Sequence, residues 1–540
     1  MTELERPIYI TTPLYYVNDE LHIGHATTTV YADTLARFWR DCGRPVLFLT
    51  GSDEHGQKIH KAATAAGTTP RGFADRIVGK FHELWEKLDV QYDIFIRTTD
   101  PFHEAAVQQV FERLKAADLL YKSNYKALYC VDCETNYTEK DLVDGKCPVH
   151  KTVPQNVEEE NYFFKLSSFT DKLKQHIEAN PDCIVPEPRR NEILGKLREG
   201  LNDTSVTRVQ FDWGVQLPWD TKHVIWVWAD ALVNYISSLG WPDGDHYPTD
   251  EFENRARHKH ELPEGVKPFD YWWPEAVHIV GKDILWHHSV IWWSELLGAG
   301  VKPPKQVFAH GWWQVEGEKM SKTLGNVIRP GDVAEKYGRD AVRYHILREG
   351  PARGDADWRH ASFVTRYNAD LANGLGNLVN RSLNMLVKYF DGKVPEETTF
   401  TDAKLEGLRQ DLIGHVNDLS DRLLGDVRRF DLDGALEQIW VLVRDANAFV
   451  NESAPFKLAK DESRRQDLAA SMHALLEVVH ALAYALKPFL PDAAQGIASQ
   501  LNIDLGERLP AALNWGRLLP GHQIGTPAPL FQRLDEKVDG

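Results

Sequence analysis

Residues 8 to 25 read IYITTPLYYVNDELHIGH. The β-branched and aromatic run from Ile8 to Thr12 predicts a buried strand. Pro13 should end that strand, because proline has no N–H to give to a sheet. After a polar turn, His22 and His25 stand where an amphipathic helix is predicted to begin. A strand, a turn and a helix start bring backbone N–H groups and a positive helix end together, which suits a phosphate group.

Gly24 lies between the two histidines and removes a side chain where a ligand would have to come close. Taken alone, such a segment also fits a surface turn that carries two solvated histidines. Features elsewhere in the sequence are needed to distinguish a phosphate site from a surface turn.

The composition limits the class of protein. The chain has 540 residues, enough for roughly three domains. Its net charge of −17 argues against a general affinity for nucleic acid or anionic membranes, so a nucleic-acid partner must meet a local basic face. The sequence has no apolar run of about 18 residues and no signal-peptide pattern. We expect a soluble, cytoplasmic protein.

The first 120 residues have the pattern of an α/β fold. A helical pattern over 26–39 closes at Gly43, and the apolar run Val46–Leu49 predicts a second, parallel strand. Strand, helix and strand form a βαβ unit. The polar loop 51–57, which contains Asp53, should face the same crevice as the histidines, because ligands bind at the carboxyl ends of parallel strands. Residues 58–120 are predicted to be helical.

Four residues after this region have the spacing of a metal site. Cys130, Cys133, Cys147 and His150 form a C-x2-C-x13-C-x2-H pattern. Two pairs of soft ligands joined by a polar loop can surround a tetrahedral ion, and this set leaves no position open for water, so it predicts one structural zinc. The alternative is three reduced cysteines and an unrelated histidine.

The core pattern resumes at 223–228, which we interpret as a return to the first sheet after an insertion of about 100 residues. A strand is predicted over 276–280, followed by a loop with Gly281 and Asp283. Another strand is predicted over 306–309. A glycine-flanked loop then carries Lys319 and Lys322, and lysines on such a loop are usually solvated.

Beyond residue 361 the apolar residues recur at helical spacing, which predicts a helical bundle. The expected architecture is therefore a Rossmann-type parallel-sheet domain, split by a zinc-binding insertion and followed by an all-α domain. The predicted divisions are 1–120 and 222–325 for the two halves of the catalytic domain, 121–221 for the insertion, 326–360 for a linking segment, and 361–540 for the helical bundle.

Together these residues resemble the class I aminoacyl-tRNA synthetases. The segment from His22 to His25 matches their HIGH signature, and residues 319–323, KMSKT, are similar to their KMSKS loop with threonine in the last place. Within the class the whole chain is similar to the methionyl-tRNA synthetase family with a single zinc knuckle. The motifs that carry this likeness are PLYY at 13–16, DEHG at 53–56, WADALVNY at 228–235, GKDI at 281–284, and the zinc pattern.

The resemblance implies the roles of individual residues. It places His22, His25, Lys319 and Lys322 in catalysis. It assigns ATP to Tyr16, His22, Gly24, His25, Gly281, Asp283 and Lys322. It assigns methionine to Leu14, Tyr16, Asp53, Trp228, Ala231, Tyr235, Ile284 and His288. It assigns the anticodon to Asn451, Pro455 and Phe456.

The reaction that the resemblance implies is the activation of methionine with ATP and Mg²⁺, followed by transfer of methionine to the 3′ end of tRNA(Met). Two alternatives stay open: another class I synthetase, such as a cysteinyl enzyme, and a non-catalytic tRNA-binding protein. We expect a monomer that binds no membrane.

Overall fold

A computed structural model of the protein describes residues 3–130, 135–137, 139–148, 151–209, 211–244, 262–320 and 325–535. Three of the predicted site residues, Cys133, His150 and Lys322, lie outside these ranges.

The strands follow the chain in this order: β1 Ile8–Thr11, β2 Tyr15–Tyr16, β3 Val46–Asp53, β4 Ile94–Arg97, β5 Leu120–Cys130, β6 Thr135–Tyr137, β7 Gln155–Phe164, β8 Ile184–Val185, β9 Thr204–Ser205, β10 Thr207–Arg208, β11 Gln216–Leu217, β12 Asp220–Ile225, β13 Ala276–Gly281, β14 Gln306–His310, β15 Trp313–Val315, β16 Glu318–Lys319 and β17 Ala356–Trp358.

The α-helices are α1 Ile23–Asp41, α2 Gln57–Ala65, α3 Pro70–Lys87, α4 Pro101–Ala116, α5 Thr170–Ala179, α6 Glu187–Arg198, α7 Val227–Ala231, α8 Asn234–Ser237, α9 Pro268–Trp272, α10 Trp292–Gly298, α11 Pro330–Tyr337, α12 Arg339–Glu349, α13 His360–Arg366, α14 Asn377–Phe390, α15 Ala403–Arg428, α16 Leu432–Ser453, α17 Pro455–Leu458, α18 Arg465–Leu486, α19 Pro491–Leu501 and α20 Leu509–Ala512. Two π-helical segments, His287–Ile291 and Tyr367–Gly376, lead into α10 and α14.

The main sheet is built around β1. In the described part of the chain it is parallel, with the order β2-β3-β1-β13-β14-β8 and with β4 also paired to β3. Tyr9 of β1 stands opposite Leu47 on one side and Ala276 on the other. The predicted strands at 8–12, 46–49, 276–280 and 306–309 are therefore confirmed as neighbours in one sheet. Because these strands are parallel, their carboxyl ends share one edge.

Three predictions about the main sheet are corrected. β3 runs on to Asp53, so the first part of the predicted loop 51–57 is strand. The region 58–120, predicted to be helical, contains β4, a four-residue strand between α3 and α4. The segment 223–228 does not return to the main sheet: β12 forms a small antiparallel sheet with β10 and β11, and α7 begins at Val227.

Most of the region 121–221 lies outside the main sheet. β5, β6, β7 and β9 form an antiparallel sheet of their own. One strand from this region, β8, pairs with β14 at the edge of the main sheet. A third small sheet, β16-β15-β17, follows β14 and carries the start of the KMSKT loop.

Beyond residue 361 the described residues form helices and irregular connecting segments, with no strand and one isolated bridge between Lys393 and Gln523. The predicted bundle is confirmed, with the apolar faces of α16 and α18 buried. The segment Glu462–Leu486 has the length and hydropathy of a membrane span, but 94% of the apolar window is buried inside the protein. That burial is typical of the central helix of a bundle.

Candidate active site

The first helix begins at the two histidines. His22 is the N-cap of α1, and its Nδ1 accepts the N–H of Gly24 at 3.1 Å. The Nδ1 atom of His25 accepts the N–H of His22 at 3.1 Å, which completes a capping box made of two imidazoles. Their rings stack with centroids 3.9 Å apart. A Cβ at position 24 would lie 2.9 Å from Cε1 of His22, so glycine is needed for this arrangement.

These hydrogen bonds determine which ring nitrogens can donate. Because Nδ1 accepts in both His22 and His25, each neutral ring carries its proton on Nε2. The predicted phosphate site therefore consists of a helix N-terminus with two imidazole donors, which is the arrangement that the sequence predicted.

Two of the predicted methionine-binding residues, Tyr16 and Asp53, lie on the neighbouring strands β2 and β3. Tyr16 of β2 stands opposite Asp53 at the end of β3, and Asp53 is buried. The Tyr16 hydroxyl donates to the backbone oxygen of His55 at 2.8 Å, which ties this aromatic ring to the loop after β3. A buried carboxylate beside an aromatic ring can pair with the ammonium group of an amino acid.

Two residues after Asp53, His55 belongs to a buried cluster with Asp230 and His103 that was not predicted from the sequence. His55 Nδ1 lies 2.7 Å from an oxygen of Asp230, and the other Asp230 oxygen lies 3.0 Å from Nε2 of His103. Burial disfavours the charged form of His55, but the neighbouring Asp230 carboxylate outweighs burial and raises the pKa of His55 to about 10. The two residues are 175 positions apart, and no sequence pattern linked them.

Two residues of the predicted methionine pocket are hydrogen-bonded to each other. Nδ1 of His288 lies 2.9 Å from the backbone oxygen of Ile284, so it must donate. Nε2 of His288 then accepts from the hydroxyl of Tyr235 at 2.8 Å. Burial lowers the pKa of His288 to about 4, so its ring is neutral at neutral pH. Tyr235 also stacks on His278, with ring centroids 4.0 Å apart.

Other predicted pocket residues are half-buried and pack against the apolar core cluster that contains Tyr235. Trp228 stacks on His287 with centroids 4.0 Å apart. Burial lowers the pKa of His287 to about 3, so this stack is between neutral rings. The half-buried members of the predicted pocket that pack against this cluster are Leu14, Tyr16, Trp228 and Ile284. Ala231 is buried at the end of α7.

Gly281 and Asp283, two of the predicted ATP-binding residues, lie at the carboxyl end of β13. A Cβ on Gly281 would come within 2.5 Å of a carboxylate oxygen of Asp283, so glycine leaves room for that carboxylate. The exposed Trp312 donates its indole N–H to Asp283 at 3.1 Å. Lys282 pairs with Asp355 at 2.7 Å and lies 4.3 Å from the centre of the Trp312 ring. Trp312 is not among the site residues predicted from the sequence.

His310 joins the strand ends to the first helix. Its Nδ1 lies 2.8 Å from the Gly311 oxygen and therefore donates, so Nε2 accepts from the hydroxyl of Thr28 in α1 at 2.7 Å. The chain then forms the β15–β16 hairpin, in which Lys319 pairs with Gln314 through the backbone. The start of the KMSKT loop thus follows β14, whose last residue, His310, contacts α1.

Two of the four predicted zinc ligands are described. Cys130 and Cys147 are both buried thiols. The Cys130 sulfur lies 3.6 Å from the Thr152 hydroxyl oxygen, and the Cys147 sulfur lies 3.7 Å from the Tyr137 hydroxyl oxygen. Within the described ranges, no three His, Cys, Asp or Glu side chains could together hold a metal ion. The donor chemistry of the two described cysteines fits the predicted ion.

The predicted anticodon residues lie where α16 ends. Ala454 ends that helix in the left-handed region, with φ 44°, and α17 begins at once with Pro455. Asn451 is exposed and Pro455 is buried. Phe456 is 43% exposed. An exposed ring at a helix junction can stack on an unpaired base.

The chain is similar to known proteins over nearly its whole length. The chain is 41% identical over 532 residues to the methionine–tRNA ligase of Caldanaerobacter subterraneus subsp. tengcongensis, covering 98% of this chain and 80% of that one. It is 40% identical to the methionine–tRNA ligase of Streptomyces coelicolor, covering 98% of this chain and 97% of the relative. The methionyl-tRNA synthetase of Mycobacterium tuberculosis, solved with methionyl-adenylate, superposes with a TM-score of 0.90, at 38% identity and with 98% and 100% of the two chains covered.

Two family models match along the chain. Residues 8–158 and 133–383 match the model described as tRNA synthetases class I (M). Residues 394–539 match the anticodon binding domain of methionyl tRNA ligase. The resemblance deduced from the HIGH and KMSKT motifs is thereby confirmed, and the chain belongs to the class I tRNA synthetases of the methionine type.

Proposed function

We propose that the carboxyl edge of the main sheet is where this methionine–tRNA ligase activates methionine. In the first step the methionine carboxylate attacks the α-phosphorus of ATP, methionyl-adenylate forms, and pyrophosphate leaves. In the second step the terminal ribose hydroxyl of the tRNA attacks the acyl carbon, and AMP leaves. The observation that carries the proposal is that His22, His25, Asp53 and Asp283 all lie at the ends of adjoining parallel strands or at the helix start beside them.

The histidines and the first turn of α1 supply donors to the phosphates. Negative charge builds on the phosphate oxygens as pyrophosphate departs, and donors fixed in advance stabilise that charge without reorganisation. His22 and His25 are fixed by their own capping bonds. Lys319 and Lys322 would add positive charge from the KMSKT loop, and ATP would arrive with its Mg²⁺.

Methionine would be held at both ends. Asp53 would pair with its ammonium group, and His55, charged and held by Asp230, would keep the loop after β3 in place. The thioether would lie among Leu14, Tyr16, Trp228, Ala231, Tyr235, Ile284 and His288. Sulfur packs well against aromatic rings, and the neutral His288 adds no charge to desolvate.

Adenosine would bind beside Gly281 and Asp283. The Asp283 carboxylate suits the two hydroxyl groups of ribose, and Gly281 leaves space for the nucleoside to approach. Tyr16 and Gly24 would border the same nucleotide from the side of the histidines.

Pyrophosphate exchange into ATP tests this function directly. Exchange should depend on methionine, because the pocket has an apolar and aromatic lining with a neutral histidine. We expect the kcat/KM for exchange with methionine to exceed that with leucine or cysteine by about 100-fold or more, the range that an apolar pocket can supply. Equal exchange with cysteine would overturn the assignment in favour of a cysteinyl enzyme, and no exchange with any amino acid would favour a non-catalytic protein.

We propose one structural zinc held by Cys130, Cys133, Cys147 and His150. The support is the paired spacing of the four ligands and the burial of the two described thiols. The ion would stabilise the tip of the antiparallel sheet formed by β5, β6 and β7, and it would take no part in the reaction.

We propose that the helical domain binds the anticodon of tRNA(Met) through Asn451, Pro455 and Phe456. The exposure of the Phe456 ring supports stacking on a base, while the buried Pro455 would fix the direction of the chain at the helix junction. We further propose a cytoplasmic monomer.

A further inference from the structure

One guanidinium lies buried where the catalytic and helical domains meet. Arg343 is in the middle of α12, and its side chain is fully buried, as is that of its partner Asp33 in α1. Nη1 of Arg343 lies 2.7 Å from the carboxylate of Asp33. A fully buried charge is costly unless it is paired and hydrogen-bonded, so this arginine must be tightly held.

All five N–H groups of Arg343 have an acceptor. Nε donates to the backbone oxygen of Phe489 at 2.9 Å, and Nη2 donates to that of Pro488 at 3.2 Å and to the Thr34 hydroxyl at 3.3 Å. Nη1 also reaches the backbone oxygen of Leu88 at 3.4 Å. A planar fork of five donors is the geometry of arginine, and lysine cannot reproduce it.

These contacts join two regions with different tasks. Thr34 and Asp33 belong to α1, the helix that begins at His22. Pro488 and Phe489 form the turn between α18 and α19, within the segment that matches the anticodon-binding domain. A single side chain thus fixes the helix of the phosphate site against the domain that would bind the anticodon.

Weaker contacts follow the same boundary. Lys487 pairs with Asp41, at the end of α1, at 2.7 Å. Arg339 forms an ion pair with Asp492. Asp340 accepts the N–H of Ala493 at 2.7 Å, which caps the start of α19. The Lys487 and Arg339 pairs are partly exposed to solvent, and Asp340 contacts only the backbone of α19, whereas Arg343 is fully buried and has five acceptors.

We propose that Arg343 is a positioning residue for tRNA charging, which holds the anticodon-binding domain in register with the active site. The inference depends on the proposed anticodon role of the helical domain. If the position of the anticodon-binding domain relative to the active site matters, losing Arg343 should impair the step that needs both domains. That step is the charging of a whole tRNA. Methionine activation uses α1 and the strand ends of the catalytic domain but not the helical domain. Asp33 also keeps a second partner in Arg37 at 2.8 Å and a bond from the N–H of Gln91 at 2.7 Å.

The test compares three activities in Arg343→Met. Pyrophosphate exchange should stay within about threefold of wild type, while kcat/KM for charging whole tRNA(Met) should fall about tenfold or more, the effect of about 1.4 kcal/mol. Charging of a hairpin that contains only the acceptor stem should stay within about threefold of wild type, because it does not engage the helical domain. Arg343→Lys should recover little of the loss, since its ammonium cannot reach five acceptors.

Two further variants keep the result interpretable. Arg422 of α15 pairs with Asp418 of its own helix, so Arg422→Met should leave all three activities unchanged. If Arg343→Met does not fold, Lys487→Met at the part-exposed pair should show the same split at about two- to fivefold. The proposal is overturned if exchange and tRNA charging fall by the same factor, if hairpin charging falls with them, or if tRNA charging stays at the wild-type level. If the wild-type protein showed no methionine-dependent pyrophosphate exchange, that result would instead contradict the proposed function.

Discussion

Two buried ionisable residues of the catalytic domain show opposite ways of being accommodated. His55 lies between Asp230 and Glu104, whose carboxylates are 2.7 and 3.6 Å from its ring nitrogens, and it stays charged. Glu295 in α10 is fully buried, and within the described residues neither of its carboxylate oxygens has a hydrogen-bond partner. Burial raises the pKa of Glu295 well above its usual value and so favours the neutral acid.

Glu295 should make the protein less stable as the pH rises. Its pKa is higher in the folded state than in the unfolded state, so its contribution to the free energy of unfolding is fully present below the unfolded pKa and is lost as the pH rises through the folded pKa. Replacing Glu295 with leucine should remove this loss and raise the free energy of unfolding at pH 7 by about 1–3 kcal/mol, because a buried polar group without a partner is removed.

Urea unfolding of Glu295→Leu and Glu295→Gln between pH 5 and pH 9 measures both effects. In both variants the free energy of unfolding should decline less with rising pH than in wild type, since neither leucine nor glutamine can ionise. Only the leucine variant should gain stability at every pH. A glutamine variant with the same decline as wild type would show that Glu295 does not carry the effect.

At the scale of the element, the start of α1 depends on one glycine. A Cβ at position 24 would crowd the ring of His22, which could then no longer cap the helix in its present position. Gly24→Ala should therefore lower kcat for pyrophosphate exchange by about 100- to 1000-fold, the range for losing a fixed donor to a developing charge.

The control for Gly24→Ala is another helical glycine. A Cβ on Gly79 in α3 would meet open space, so Gly79→Ala should leave exchange unchanged and stabilise the helix slightly. Exchange measured with both variants separates loss of the histidine geometry from a general effect of alanine. Full exchange in Gly24→Ala would refute the role of this capping arrangement.

The sequence predicted long elements better than short ones. β1, β3, β13 and β14 were found because continuous apolar runs are buried on both faces of a parallel sheet. β8 has two residues, too few for a periodic signal, and the four residues of β4 lie between the long helical patterns of α3 and α4. At the site, the histidines and Asp53 stand in local motifs, whereas the contacts of His55 with Asp230 and of Trp312 with Asp283 depend on how distant segments fold together.

At the scale of the whole molecule, the 3′ end of the tRNA would bind the catalytic domain and the anticodon would bind the helical domain. Phe456→Ala should remove a stacking surface and reduce kcat/KM for charging tRNA(Met) by about 10- to 100-fold, the effect of losing about 1–3 kcal/mol of base stacking. Exchange should not change, because Phe456 lies in the helical domain. The matched control is Leu519→Ala, an apolar residue of the same domain that is 73% exposed. An equal loss in both variants would contradict a specific role for Phe456.

The pairing of β1 with β13 also has a consequence during synthesis. The first strand emerges from the ribosome early, but its second neighbour begins at Ala276, and β14 follows at Gln306. At about 5–20 residues per second, roughly 15–50 s pass between the synthesis of these strands. Throughout that time β1 has an open edge that other chains could pair with. Slow translation between residues 11 and 276 should therefore favour aggregation of the nascent protein, and the nucleotide site is among the last parts of the sheet to form.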